Sequence, residues 1–296
     1  MIPTNRLTSD SPQVMAIIPI HNGKDDTLTF LQSFSGVIYP NLKTVVIDDG
    51  STDGSAEAIN KFFPQVTVLT GDGNLWWTGA TNLGVVEALR TSSDFVLTIN
   101  NDNEVDPGFL SSLVTTAGNN PKSIVTSLIY DYNDRTRLCS AGSEIRWFQG
   151  EIRCRTSRGE SCQSPQAVDC LNGTSTLIPV SVFRECGLFD AEHCPQYHGD
   201  AELFLRAKTK GYRLLVDTNS LIYNKSVVSG GNASLNRAGL RDIIFGIKSP
   251  FYLKANYRIY SEYCPYRPKV LFLAVRYLRL LYSLLHRRFI DKTRGS

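Results

Sequence analysis

Short apolar runs recur along the first half of the chain, and each closes abruptly on polar residues. Val14 to Ile20, Leu42 to Ile47, Val66 to Leu69 and Phe95 to Ile99 are rich in β-branched residues and read as strands. Amphipathic segments lie between them. One runs from Asp25-Asp26, acids suited to a helix start, to about Phe34. Others span Ser55 to Phe62 and Ala80 to Arg90, and Pro107 opens another that runs to about Ala117. Strands separated by single helices predict a parallel, doubly wound α/β sheet over 14–118.

The sharpest transition is Phe95 to Asp106, where a buried-strand pattern passes into Asn100-Asn101-Asp102-Asn103-Glu104. Two other strands end in similar loops, at His21-Asn22 and at Asp48-Asp49-Gly50-Ser51. Parallel strands bring such ends to one edge, where open α/β sheets bind ligands. A turn alone would also favour Asn and Asp.

Beyond the run Ile124 to Tyr130 the pattern loosens, and 131–170 reads as hairpins or an irregular excursion. Regularity returns with a strand at Thr176 to Pro179 and a helix over Val180 to Cys186. A second helix follows Tyr197-His198-Gly199-Asp200-Ala201-Glu202 and is ended by Gly211. Arg213 to Tyr223 contains a last strand, and 224–234 reads as a polar, Gly-rich mobile loop.

The C-terminal part is helical and basic. From Pro250 onward Lys and Arg outnumber acids by eight, although the whole chain carries only +3. Arg276, Arg279, Ser283 and Arg287 recur at helical spacing between Val270 and Phe289. Two readings stand: a helix lying in a membrane interface, or one packed on the body with a solvated basic stripe. No apolar run is long enough to span a bilayer. The polar start, Met1 to Gln13, lacks the apolar core of a secretory signal, so a cytoplasmic protein is expected, at most peripheral on the inner membrane. The seven cysteines show no metal or redox spacing and read as scattered thiols. Asn172-Gly173-Thr174 and Asn232-Ala233-Ser234 match the glycosylation sequon, which carries little weight in that context.

The oxygen-rich strand ends suit a hard divalent cation, Mg²⁺ or Mn²⁺, which would neutralise a diphosphate. Asp48 and Asp49 are placed to accept hydrogen bonds from a base or ribose. Gly71, Gly73 and Gly79 permit close backbone approach to a ligand, but no phosphate-loop or dinucleotide fingerprint is present. Trp76 and Trp77, read as part of this Gly-rich loop, suit stacking on a sugar or base. Asp200 and Glu202 are either helix-start charges or a general base beside Tyr197 and His198.

Together these motifs resemble the inverting family-2 glycosyltransferases of the GT-A fold over about Val14 to Tyr223. Ile17 to Asn22 is similar to the family's opening strand and loop, and Val45 to Gly54 to its nucleotide-binding signature. Gly73-Asn74 and Gly79 to Gly84 resemble the donor loop and helix, with Thr81 where many members have Arg. Asn100-Asn101-Asp102 occupies the metal-binding Asp-x-Asp position, and Gly199-Asp200 the Glu-Asp motif whose second acid is the base. Three positions depart from the pattern: Asn100 replaces an Asp, Gly199 a Glu, and Asn224 a metal-binding His. The resemblance therefore implies a loosely held metal, mostly on Asp102 and the donor. The Trp-rich loop and Ser249-Pro250-Phe251-Tyr252 resemble a rhamnosyltransferase-like branch that builds bacterial surface polysaccharide such as O-antigen or capsule.

The implied organisation is a GT-A domain over 1–235 and a basic helical extension over 236–296. Within the domain, 14–118 would bind the nucleotide sugar and 119–235 the acceptor. The implied donor site comprises Pro19, His21, Asn22, Asp48, Asp49, Gly50, Ser51, Gly73, Asn74, Gly79, Asn82 and Asn101. Asp102, Asn100 and Asn224 would serve a metal. Trp76, Trp77, Asn172, Gly173, Tyr197, His198 and Glu202 would serve the acceptor. Asp200 would be the base of a single inverting displacement. The partners implied are a dTDP- or UDP-linked sugar, a glycan or lipid-linked acceptor, and a membrane surface met through the basic C-terminus, with no nucleic acid. Two other classes fit parts of the pattern: a nucleotide-sugar-forming nucleotidyltransferase, for which Pro19 to Gly23 offers no basic triphosphate loop, and a non-catalytic nucleotide- or sugar-binding relative.

Overall fold

A computed structural model describes residues 11–157, 164–225 and 239–294, with side chains up to 286. The predicted strands and helices form in order: β1 (Val14–Ile20), α1 (Lys24–Phe34), β2 (Leu42–Asp48), α2 (Ser55–Phe62), β3 (Thr67–Thr70), α3 (Trp76–Arg90) and β4 (Phe95–Thr98). Then come β5 (Asn103–Val105), α4 (Phe109–Asn119), β6 (Ser123–Asp131), β7 (Leu138–Ser140), β8 (Ser143–Arg146), β9 (Glu151–Cys154), β10 (Gln166–Ala167) and β11 (Thr176–Pro179). Helices α5 (Val180–Cys186) and α6 (Gly199–Thr209) and strand β12 (Arg213–Asn224) complete the sheet domain. Helices α7 (Leu240–Phe245), α8 (Leu253–Tyr263) and α9 (Lys269–Arg294) follow. The expected mobile loop at 224–234 lies almost entirely outside the described residues.

The main sheet has the order β10-β12-β6-β11-β4-β1-β2-β3, with β5 on β12 and β7 on β6. It is mixed and mostly parallel, in keeping with the mainly parallel sheet the resemblance implies. β1 to β4 pair parallel, and so do β6 and β12, but β11 runs antiparallel between β4 and β6. Because β11 reverses against both neighbours, β4, β6 and β12 still point the same way. The loops after β1, β2 and β4 and the end of β12 therefore share one edge.

Both faces of the sheet are covered, which explains the continuous apolar runs. In β1, Val14, Ala16, Ile18 and Ile20 join Phe30, Phe109 and Leu110 of α1 and α4 in one core. Met15 and Ile17 point the other way, towards Val85 and Ala88 of α3 and Leu203 and Phe204 of α6. The excursion at 131–170 contains the expected hairpin, β8 against β9.

A third cluster joins Ala201 and Leu205 of α6 to Ile259, Tyr260 and Cys264, and to Phe272 and Leu273 of α9. The long C-terminal helix thus packs on the body, but Arg276 of the expected basic stripe is not solvated. Arg276 turns inward and donates to the carbonyls of Gly150 and Pro250. Arg279 donates to the Gln149 carbonyl and lies 3.7 Å from Glu151. Among the described residues, no helix is long and apolar enough to cross a membrane.

Candidate active site

Three loops at the shared edge are tied together by their own polar groups. The Asn22 N–H donates to Ser51 Oγ at 2.7 Å, and the Thr52 N–H to Asn22 Oδ1 at 3.0 Å. Asp48 accepts from the Ser51 N–H at 2.8 Å and so shapes its own turn. Asp49 has a longer reach. One oxygen accepts the Gly73 N–H at 2.8 Å and the other the Trp76 N–H at 3.0 Å, which fixes the Gly-rich segment against β2. His21 Nδ1 lies 2.6 Å from the Asp49 carbonyl.

Of these, His21, Asp49, Gly73 and Trp76 line a cleft of about 330 Å³, together with Pro19, Ile20, Trp77, Ala80, Gln196 and Lys248. The size is that of a small-molecule site. Lys248, which the sequence motifs did not mark, places its ammonium 5.3 Å from the Trp76 ring centre. Trp76 and Trp77 are not in a free loop: they form the first turn of α3, Trp76 at φ 56°.

Trp77 connects the cleft to the oxygen-rich stretch. Its indole N–H donates to Asn100 Oδ1 at 3.0 Å. An indole N–H is only a donor, so Asn100 must present its oxygen to Trp77 and turn its NH₂ elsewhere. The next amides are ordered in the same way. Asn103 Nδ2 donates to the Asn100 carbonyl at 2.9 Å, and also contacts Asp102 Oδ1 and Thr174 Oγ1. Asn103 Oδ1 is thereby left to accept from Asn224 Nδ2 at 3.0 Å. Asn101 donates to Thr27 Oγ1 at 2.8 Å and braces the loop on α1. Amides at 100 and 224 thus hold the strand ends together as a neutral network. Asp102 is the carboxylate this stretch offers to a hard cation. The donor set fits a divalent ion resting mainly on Asp102 and a bound diphosphate, and does not form an all-protein cage.

Asp200 stands on the far side of Trp77, at the start of α6. Its Oδ2 accepts the Gly173 N–H at 2.6 Å and its Oδ1 the Ala201 N–H at 2.8 Å. Burial raises its pKa above the ordinary carboxylate value, against the lowering effect of those two N–H groups. Gly173 is where Trp77 and Asp200 meet: a Cβ there would lie 2.7 Å from Trp77 Cη2 and 3.1 Å from Asp200 Cβ. Gly199 is required for a similar reason. A Cβ at 199 would collide with Thr78 Oγ1 and sit 3.2 Å from the Cys194 carbonyl, so a Glu has no room before this base. The same contact joins the starts of α3 and α6, with Thr78 Oγ1 donating to the Cys194 carbonyl at 2.6 Å.

His198 is held neutral. Burial, helped by the Arg276 charge, pushes its pKa down to about 4, and Nε2 lies 2.7 Å from the Pro250 carbonyl. Asn172 donates to Ser140 Oγ at 2.8 Å beside Gly173, and Tyr197 is exposed. Asn74 is exposed with its N–H turned to Asp72, while Gly79 packs in the first turns of α3.

Two of the sequence-derived candidates have other work. Asn82 donates to the Phe189 carbonyl and accepts the Phe189 N–H, both at 2.9 Å, so it fastens α3 to the turn before α6. Glu202 is fully buried and paired with Arg206 at 2.6 Å, with Tyr263 Oη donating at 2.5 Å and Arg258 at 3.8 Å. A buried carboxylate so surrounded is a structural anchor for α8, and it does not line the cleft.

Comparison with known proteins accords with this geometry. Over 15–186, more than half of the chain, the sequence matches the family model for glycosyl transferase family 2. The chain is 29% identical over 114 residues to the uncharacterized glycosyltransferase YibD of Escherichia coli, covering 38% of this chain and 32% of that protein. It is 23% identical over 225 residues to the N-acetylglucosaminyl-diphospho-decaprenol L-rhamnosyltransferase of Mycobacterium tuberculosis, covering 68% and 72%. The chain spans only 32 to 60% of the lengths of the first relatives it matches. Among solved structures, the mannosyltransferase PcManGT of Pyrobaculum calidifontis in complex with GDP-Man and Mn²⁺ superposes with a TM-score of 0.57. The identity is 14%, over 97% of this chain and 81% of that one, a likeness of fold. Sheet order and family match converge: the chain has the GT-A fold and belongs to glycosyl transferase family 2.

Proposed function

We propose that the chain transfers a sugar, with rhamnose or another hexose as the working candidate, from a dTDP- or UDP-linked donor to a hydroxyl of a glycan or lipid-linked glycan. The transfer inverts the anomeric centre and serves assembly of a bacterial surface polysaccharide. The observation that carries this reading is Asp200: a partly buried carboxylate of raised pKa, aimed by two backbone N–H groups, one Trp side chain away from the oxygen-rich strand ends. The lipid-linked acceptor is supported by the name of the mycobacterial relative.

In this mechanism the donor's base and ribose lie against Pro19, His21 and the Asp49 turn, and Trp76 closes the cleft over them. Lys248 holds negative charge on the diphosphate. A divalent ion on Asp102, when bound, adds Lewis-acid stabilisation of the departing diphosphate. Asp200 accepts the proton of the attacking hydroxyl. Its raised pKa makes it, when ionised, a stronger base than a free carboxylate. Trp77 covers the reacting region and keeps water from competing. Neutral His198 orders the entry to α6 through Pro250 and takes no proton.

The test is Asp200→Asn. General-base catalysis contributes about 10²- to 10⁴-fold, so transfer should fall by that factor with nucleoside-diphosphate affinity unchanged. Transfer within about ten-fold of wild type, in a variant that binds donor normally, refutes the assignment.

A further inference from the structure

Helix α9 carries apolar side chains on both of its sides. Phe272, Leu273 and Leu280 are buried against the body, Arg276 turns to it and donates to two carbonyls, and Arg279, still exposed, reaches the Gln149 carbonyl and Glu151 at its edge. The opposite side carries Leu278 at 64%, Tyr282 at 71% and Leu285 at 67% exposure. Val270, Leu271 and Leu281 extend the same exposed surface. Positions 271, 278 and 285 repeat every seven residues and 282 lies beside them, so they form one stripe along the helix. Scattered exposed leucines need no explanation, but a continuous apolar stripe on the solvent side of a helix marks an interaction surface.

The charges select the partner. No acid occurs between Lys269 and His286, and the stripe is bracketed by Arg267 and Lys269 before it and by Arg287, Arg288, Lys292 and Arg294 after it, against Asp291 alone. A second copy of the helix, parallel or antiparallel, would bring basic ends against basic ends and offer no acids to offset them. An anionic lipid surface matches both parts: acyl chains take the leucines, headgroups take the cations, and Tyr282 suits the boundary between them.

We propose that the outward stripe of α9, Leu271–Leu278–Tyr282–Leu285, lies in the headgroup layer of an anionic membrane, with the sheet domain on the aqueous side. The proposal deepens the lipid-linked-acceptor reading, since it says how the enzyme reaches such an acceptor, but its test needs neither donor nor acceptor. The intact chain is sedimented with vesicles of phosphatidylcholine alone and with vesicles containing phosphatidylglycerol. Binding should be at least about ten-fold tighter to the anionic vesicles and weaken with salt. Leu278→Glu and Leu285→Glu should each reduce binding about ten-fold or more, and the gentler Leu278→Gln by less. All three lie on a solvent-facing surface, so melting temperature and nucleoside-diphosphate affinity should not change. Absence of binding to either vesicle overturns the proposal. So does a wild-type dimer in sedimentation velocity that Leu278→Glu dissociates, because the stripe would then be covered by a second copy. Failure of sugar transfer with intact vesicle binding would count against the glycosyl-transfer reading alone.

Discussion

Gly173→Ala tests whether Trp77, Gly173 and Asp200 act as one assembly. The added Cβ would stand 2.7 Å from Trp77 Cη2, 2.8 Å from Cζ2 and 3.1 Å from Asp200 Cβ, where ordinary contact begins near 3.4 Å. The worst overlap is therefore about 0.7 Å, from the difference of 3.4 and 2.7 Å. Trp77 cannot retreat freely: its indole N–H is held by Asn100 and its ring meets Phe189 edge-on at 5.7 Å. Overpacking of this size costs about 1–3 kcal/mol, which for a chain of this length lowers Tm by roughly 2–8 °C. The catalytic effect should be larger. The Gly173 N–H that aims Asp200 moves with the same residue, and misplacing a reacting group by about 1 Å can cost about 100-fold. Steady-state kinetics should show kcat reduced by roughly 10- to 100-fold with donor KM nearly unchanged. A variant with wild-type Tm and kcat within about two-fold would refute the close packing on which this account of the base depends.

Other perturbations separate the parts of the site. Lys248→Gln should weaken nucleoside-diphosphate binding about ten-fold in calorimetry while nucleoside binding stays constant, because the proposed donor pose sets only the phosphates on the ammonium. The acid limb of kcat should fall with decreasing pH through an Asp200 pKa raised above the free carboxylate value, and Asp200→Asn should flatten that limb. His198, pushed down to about 4, should contribute no titration between pH 5 and 8. Glu202→Gln should cost about 3–5 kcal/mol of stability by stranding Arg206, measured by denaturant unfolding, with donor affinity retained in the folded fraction.

Much of this was legible in the sequence because period and punctuation carry direction. β-Branched runs ending at His21, Asp48 and Asn100 fixed both the strands and the edge at which they end. β11 was different: a short run such as Thr176 to Pro179 has no mark of which way it pairs, so its reversal within the sheet could not be read. Trp76 and Trp77 sat among glycines that signal a loop, yet the Asp49 carboxylate captures the Trp76 N–H and starts a helix there. Asn82 and Glu202 looked available because acids and amides near helix starts usually face water. Their partners, Phe189, Arg258 and Tyr263, arrive from distant segments. Lys248 reaches the cleft in the same way. The inward turn of Arg276 was hidden because its acceptors are backbone carbonyls, which every sequence has and no pattern reveals.

The central claim is inverting transfer from a nucleoside-diphosphate sugar, and a donor screen tests it most directly. The purified chain, with Mn²⁺ and no acceptor, is given a panel of nucleotide sugars, and both nucleoside-diphosphate release and the anomer of the freed sugar are followed by NMR before mutarotation. Slow hydrolysis of one donor class is predicted, with the sugar released in the configuration opposite to that in the donor, and none from Asp200→Asn. Release with retained configuration, or equal release by Asp200→Asn, would contradict the account.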